Sequence, residues 1–334
     1  PLVYGSSVYG VVGVYAGGEG AFSDHERSSF EALGELAGLA VNATRNRRLL
    51  LSDAITEVTF ELDRGALADP EPVPAGSVVS AGGTERVWRL PDPAPTADLE
   101  AALAAVDGAV SAALGDLAAS TRSGGDDESS DGNLAVAFSG GVDSGLVAAA
   151  VPEAPCYVAG FEGSHDIAAA HEAASAMDRD LRVVEVTHDD LTRAVRAVAA
   201  ATGRRNPMDA SIAVPLFMTA EAAAADGFDR LAVGQGADEL FGGYSKVVAP
   251  AEDSRVDADT VRGARTETVR TLPDQLERDV LALRAAGVEP ATPLLDDRVV
   301  GAALALPDAL LVDGDERKVA LRRVASRRLP ESVH

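Results

Sequence analysis

At 334 residues the chain is long enough for two domains, or for one large α/β domain with additions. Its formal net charge of −24 argues against a nucleic-acid backbone as the main partner. A single cysteine, Cys156, excludes an intramolecular disulfide and any multi-cysteine metal site, and without a signal-peptide pattern or a bilayer-length apolar run the expectation is a cytoplasmic protein with no membrane partner.

Residues 1–63 read as two short strands followed by a long amphipathic helix. Tyr9-Gly-Val-Val-Gly-Val-Tyr15 is strand-like, and Asp24 is a candidate N-cap. Apolar Leu33, Leu36, Leu39 and Val41 then recur at helical spacing up to the basic Arg45-Asn-Arg-Arg48. Residues 64–119 hold Pro70-Glu-Pro-Val-Pro-Ala-Gly76, a strand-like Arg86-Val-Trp-Arg-Leu90 and an Ala-rich helix from about Asp98 to Ala119. Residues 120–132 contain no apolar residue and predict a flexible acidic linker.

From 133 to 334 strands and helices alternate, with buried-strand candidates at 134–138, 156–161, 182–186 and 230–234. The pattern predicts an α/β fold, a parallel sheet with helices on both faces, behind a small α+β N-terminal appendage. Cys156 lies in one of these strands, where packing is expected rather than reactivity. Ligands of such sheets bind at the carboxyl ends of the strands. The Ser139 loop, the segment after Gly160 and the loop after Val233 are therefore expected to share one edge.

The most informative stretch is Leu134-Ala-Val-Ala-Phe-Ser-Gly-Gly-Val-Asp-Ser-Gly145. An apolar strand stops at Ser139-Gly140-Gly141, and a helix follows. Strand, glycine turn and helix N-terminus bring bare N–H groups and a positive dipole end to one point, where an anion is stabilised. The hydroxyls of Ser139 and Ser144 add donors. Asp143 inside a phosphate cradle is favourable only if it holds a divalent cation that bridges to the phosphates. No Gly-Lys-Ser/Thr follows the glycines, so this is not a Walker loop. A second loop, Val233-Gly-Gln-Gly-Ala-Asp-Glu-Leu-Phe-Gly-Gly-Tyr244, brings Gly234 for close backbone approach and Asp238 as a second metal-ligand candidate.

The first loop resembles the Ser-Gly-Gly-x-Asp-Ser pyrophosphate loop of the N-type ATP pyrophosphatases. Taken with Gly234–Tyr244, Phe161-Glu-Gly-Ser-His-Asp166, Pro207–Pro215 and Glu316-Arg-Lys-Val-Ala-Leu-Arg322, it resembles the synthetase domain of the class B asparagine synthetases. The resemblance implies the adenine nucleotide alpha hydrolase-like fold for residues 133–334. It implies ATP and Mg²⁺, with Ser139, Gly140, Gly141, Asp143 and Ser144 on the pyrophosphate and Asp143 and Asp238 on the metal. It further implies Ala137, Ala159 and Gly234 at the adenosine, and Lys318 facing the phosphates and the acyl centre. The alternative for Lys318 is a solvated position on a helix beginning near Asp315. Residues 64–119 resemble a remnant of the family's glutaminase region, and residues 1–63 the C-terminal end of a GAF domain from haloarchaeal bacterio-opsin-activator-like regulators. Only two of the 29 basic residues are lysine, which fits a halophilic composition.

Three departures stand out. Gln235 replaces a family glutamate that handles substrate and amine, and a neutral amide there can position groups but cannot do acid–base work. Ala291-Thr-Pro-Leu-Leu-Asp296 has alanine where the family motif has arginine. The N-terminal nucleophilic cysteine of the glutaminase domain has no counterpart in this chain. The expected activity is ATP-dependent amide formation: a small-molecule carboxylate, aspartate by family default, is adenylated and then attacked by ammonia or an amine, without glutamine hydrolysis. A non-catalytic nucleotide-binding or regulatory module and another enzyme of the pyrophosphatase superfamily are the alternatives. The oligomeric state, a homodimer among the options, is open.

Overall fold

The computed structural model describes residues 2–4, 7–10, 73–80, 82–121, 133–204 and 206–334. The helix expected between Asp24 and Arg48 and most of the expected 120–132 linker lie outside them. The chain divides into two compact units, Pro1–Leu90 with Ala199–Gly203, and Pro91–Val198 with Arg204–His334.

In the first unit β1 (Leu2–Tyr4) pairs antiparallel with β2 (Ser7–Gly10), and β3 (Ser77–Ser80) with β4 (Gly83–Arg86). Of the strand expected at 86–90 only Arg86, the last residue of β4, is in a strand, and Val87 and Trp88 are exposed past its end.

The second unit opens with α1 (Leu99–Ser120), whose N-cap Asp98 accepts from the amides of Glu100 and Ala101. There follow β5 (Leu134–Ala137), α2 (Val142–Ala150), β6 (Cys156–Gly160), α3 (His165–Ala176), β7 (Leu181–Glu185), α4 (His188–Thr202), α5 (Pro207–Ala225) and β8 (Arg230–Ala232). The C-terminal part holds α6 (Ala237–Phe241), α7 (Val261–Val269), α8 (Leu272–Ala285), β9 (Glu289–Ala291), α9 (Asp297–Leu304) and α10 (Asp308–Leu311). A two-residue hairpin, β10 (Val312–Asp313) with β11 (Glu316–Arg317), leads into α11 (Val319–Ala325).

Five strands form one parallel sheet in the order β7-β6-β5-β8-β9. The chain first steps from β5 to β6 and β7, then returns to the other side of β5 for β8. The crevice at the carboxyl ends of β5 and β8 is therefore the topological switch point, where ligands of open α/β sheets bind. The central strand β5 is continuous in Ala, Val and Leu because both of its faces are covered, whereas the edge strands β7 and β9 carry exposed Arg182, Glu185 and Glu289. One core layer joins Tyr157 and Leu231 of the sheet to Val214, Phe217 and Met218 of α5 and to Leu283 of α8.

Two helices, Leu99–Ser120 and Pro207–Ala225, reach the length and mean hydropathy of a membrane span, contrary to the expectation of no bilayer-length apolar run. Their apolar stripes face protein: Val106 and Val110 of α1 are fully buried, and α5 packs into the core layer just described. Alanine-rich core helices acquire this hydropathy because alanine is apolar yet small enough for close packing.

Candidate active site

The loop between β5 and α2 is shaped by Gly140. Its φ is +81°, and a Cβ there would stand 2.6 Å from the backbone oxygen of Ala169. Only glycine fits both constraints. The turn is tied by the Ser144 hydroxyl, which donates to the Gly141 carbonyl (3.2 Å) and accepts from the Ser139 amide (3.2 Å), and the two hydroxyls lie 3.2 Å apart. Gly141 is the N-cap of α2 and supplies no side chain, so the first amides of this nine-residue helix have no side-chain acceptor.

The loop after β8 leans against it. A Cβ on Gly234 would come within 2.9 Å of the Asp143 Cβ, so glycine permits the approach of the two strand ends. Gly236, at φ +89°, faces the side chain of Leu295, which belongs to the Ala291–Asp296 motif. Ala291 itself ends β9, where its carbonyl accepts from the Val233 amide (2.9 Å), and it does not border the site cavity.

The first and second motifs meet at a third residue. Lys318 Nζ lies 2.6 Å from Asp143 Oδ2 and 2.7 Å from Asp238 Oδ1. Residues 315–318 are not helical, contrary to the alternative reading. The β10–β11 hairpin turns the chain, and Lys318 occupies the left-handed region at φ +59° as the N-cap of α11. That conformation is costly for a residue with a Cβ and persists only where surroundings fix it. Burial depresses the Lys318 ammonium, but the two carboxylates outweigh it and hold its pKa above the ordinary lysine value. For Asp143, burial pushes the carboxyl up, and the Lys318 ammonium opposes that. Asp143 Oδ1 is buried and accepts no hydrogen bond.

These groups fit a divalent cation on two grounds: two carboxylates already share one positive charge, and a buried carboxylate oxygen is unmatched. Among the described residues no third His, Cys, Asp or Glu joins them, so the remaining ligands would have to come from outside the protein. Two protein carboxylates with remaining ligands from phosphate and water is a common Mg²⁺ arrangement.

A cavity of about 530 Å³ extends from this point along the carboxyl ends of the strands. Ala137, Ser139, Asp143, Ser144, Ala159, Gly234, Gln235 and Asp238 all border it, whereas Gly140 and Gly141 shape the turn without facing it. Its size is that of a site for a small molecule or nucleotide. Glu239, 4% exposed, receives a 2.5 Å hydrogen bond from the Tyr244 hydroxyl. Burial holds the Glu239 carboxyl above its ordinary pKa, and burial together with the Glu239 partner raises the Tyr244 phenol.

The far wall was not anticipated. Gln275, Arg278 and Asp279 of α8 border the cavity, and Gln235 Nε2 donates to Asp279 Oδ2 at 3.2 Å. The signal was present in sequence as polar residues spaced i, i+3 and i+4 on a helix that is otherwise apolar on that side. The 44 positions between Gln235 and Asp279 hid the contact.

Comparison with known proteins gives the family. The asparagine synthase family model matches residues 127–268 and 252–334, more than half of the chain. A protein of Methanocaldococcus jannaschii, provisionally named a glutamine-hydrolysing asparagine synthetase, is 32% identical over 177 residues, which are 52% of this chain and 32% of that protein. Escherichia coli K12 asparagine synthetase B, named as glutamine-hydrolysing, is 25% identical over 224 residues, 61% of this chain and 40% of that protein. The chain thus spans between a third and two-fifths of the length of these relatives. With the family pattern running through both strand-end loops and on to the lysine that joins them, the chain belongs to the asparagine synthase family.

Proposed function

We propose that this chain is an ATP-dependent carbon–nitrogen ligase domain that adenylates a small-molecule carboxylate and transfers the acyl group to ammonia or an amine. The observation that carries the reading is that Ser139, Asp143, Ser144 and Asp238 border one cavity at the switch point of the sheet, with Lys318 paired to both carboxylates.

In this reading the amides at the start of α2 and the hydroxyls of Ser139 and Ser144 bind the pyrophosphate portion of ATP. The turn made by Gly140 and Gly141 brings them close, and Ala137, Ala159 and Gly234 border the adenosine. Asp143 and Asp238 would hold Mg²⁺, which supplies charge neutralisation at the phosphates when bound. An acceptor carboxylate oxygen attacks the α-phosphorus, and the α–β P–O bond breaks with its electron pair leaving on pyrophosphate. The nitrogen nucleophile, as the free base, then attacks the acyl carbon, AMP departs with the electrons of the C–O bond, and the new amide nitrogen gives up a proton to solvent. Lys318 donates hydrogen bonds to the anionic oxygens of these steps, and Gln235 positions groups at the acyl end. Prepositioned donors of this kind act on charge as it develops. Aspartate is the acceptor suggested by the relatives' names. Residues 133–334 form the ligase domain, which works in the cytoplasm on small molecules rather than on nucleic acid or at a membrane.

The direct test is Mg²⁺-dependent ATP–pyrophosphate exchange across a panel of carboxylates, followed by AMP release with ammonium present. Exchange with one acid class supports the reading. ATP binding without exchange for any acid would instead favour a non-catalytic nucleotide-binding module.

A further inference from the structure

The cavity has two chemically different ends. At its head the carboxylates of Asp143 and Asp238 are met by Lys318. Along the α8 wall, Asp279 is 4% exposed and borders the cavity. Its Oδ1 accepts from Arg278 Nε at 2.8 Å and its Oδ2 from Gln235 Nε2 at 3.2 Å. Arg278 in turn donates to Asp209 Oδ1 at 3.0 Å, so one guanidinium serves two carboxylates. Two fixed donors orient Asp279 without exhausting its acceptor capacity, since a carboxylate offers about four lone-pair directions.

The balance of charge points the same way. The residues bordering the cavity include five carboxylates, Asp143, Asp166, Asp238, Glu239 and Asp279, against the guanidinium of Arg278, and Lys318 pairs with two of the five from behind the lining. A cavity of that sign stabilises a positive group beyond the reach of Lys318. Glu239 is engaged by Tyr244, which leaves Asp279 as the buried carboxylate facing the cavity next to position 235.

We propose that Asp279, held by Gln235 and Arg278, receives the cationic nitrogen used in this site, either the ammonium group of an amino-acid acceptor or the incoming ammonium or amine. The carboxylate absent from position 235 is thereby supplied from the opposite wall, and Gln235 is a positioning residue for it. The identity of the guest rests on the ligase reading above; binding of an acceptor is read without turnover, and only the amine arm is read from amide formation.

Calorimetry on the full chain with L-aspartate and with succinate, in the presence of a non-hydrolysable Mg-ATP analogue, tests the acceptor arm. The dependence of amide formation on methylammonium concentration tests the amine arm. Wild type, Asp279→Asn and the exchanged pair Gln235→Glu/Asp279→Asn are compared. For an acceptor ammonium, wild type should bind L-aspartate at least tenfold more tightly than succinate, Asp279→Asn should lose that preference, and the exchanged pair should regain it. For an amine guest, Asp279→Asn should instead raise the KM for methylammonium at least tenfold, again with recovery in the exchanged pair. Should Asp279→Asn lose its fold, the exchanged pair keeps one carboxylate against one amide and carries the comparison alone. The proposal is overturned if Asp279→Asn leaves both quantities unchanged, if the exchanged pair recovers neither, or if wild type shows neither a preference nor a saturable amine dependence. An Asp279-dependent preference in a chain that forms no pyrophosphate and no AMP would overturn the ligase reading and leave this one standing.

Discussion

The ammonium of Lys318 lies 2.6 Å from Asp143, a residue 175 positions earlier in the chain. In the absence of a metal the lysine is the cation of this part-buried carboxylate, whose Oδ1 accepts no hydrogen bond. Replacing Lys318 by methionine should therefore cost about 1–3 kcal/mol in metal-free buffer, less than the loss from a fully buried pair because both side chains keep some contact with water. Added Mg²⁺ should recover much of that loss in the variant and change wild type less. Urea unfolding with and without Mg²⁺ makes the comparison. A variant as stable as wild type in chelator would show that Asp143 needs no partner there.

The two carboxylates should matter to chemistry more than to folding. Asp143→Asn and Asp238→Asn are each expected to abolish Mg²⁺-dependent ATP–pyrophosphate exchange while circular dichroism stays native. Near-wild-type exchange in both variants would show that the metal is not held where these side chains converge.

Gly243 offers a test that spares the ligands themselves. It does not sit at a positive φ, so alanine introduces no backbone strain. A Cβ would nevertheless stand 1.8 Å from Asp238 Oδ1 and 2.4 Å from Lys318 Cε. Gly243→Ala should displace both side chains and lower exchange at least tenfold, with a loss of stability on the order of 1–3 kcal/mol from overpacking. Unchanged exchange would mean that the lysine–carboxylate contact is incidental to turnover.

Much of this site was legible in sequence, for a physical reason. Anion cradles need glycine and hydroxyl side chains in consecutive positions, so Ser139-Gly-Gly-Val-Asp-Ser144 and Gly234–Tyr244 announce themselves locally, and the alternation of apolar strands with helices places both at one sheet edge. Strands β5 to β8 were placed to within about two residues. What sequence did not disclose depends on long-range contact. β9, Glu289–Ala291, is only three residues long and includes a proline, so it carries no alternation of its own. Its assignment comes from pairing with β8. The Gln235–Asp279 hydrogen bond and the left-handed Lys318 likewise exist only once α8 and the β10–β11 hairpin are packed, and no spacing rule encodes them.

Cys156 is fully buried in β6, and burial holds its thiol above the ordinary pKa. A protonated, inaccessible thiol is a poor nucleophile. Incubation of this chain with glutamine should release no glutamate, while free ammonium or an amine serves as nitrogen donor. Glutamate formation that disappears in Cys156→Ala would contradict this.

The last prediction concerns alkaline pH and Tyr157, which is 1% exposed. Its hydroxyl donates to Asp226 Oδ2 at 2.6 Å and accepts from Arg182 Nη1 at 2.7 Å. Burial first, and the carboxylate acceptor second, push the phenol up to about 12. In the unfolded chain a tyrosine loses its proton near pH ~10. Between those values the folded state binds more protons than the unfolded one, so stability must fall as pH rises through this window. The full effect of a two-unit shift is on the order of 2–3 kcal/mol. Tyr157→Phe removes the titrating group and should flatten this part of the profile, at the cost of roughly 1 kcal/mol of hydrogen bonding at neutral pH. Unfolding free energies of both proteins across the alkaline range decide it. Parallel profiles would mean that the phenol titrates in the folded protein as it does in the open chain.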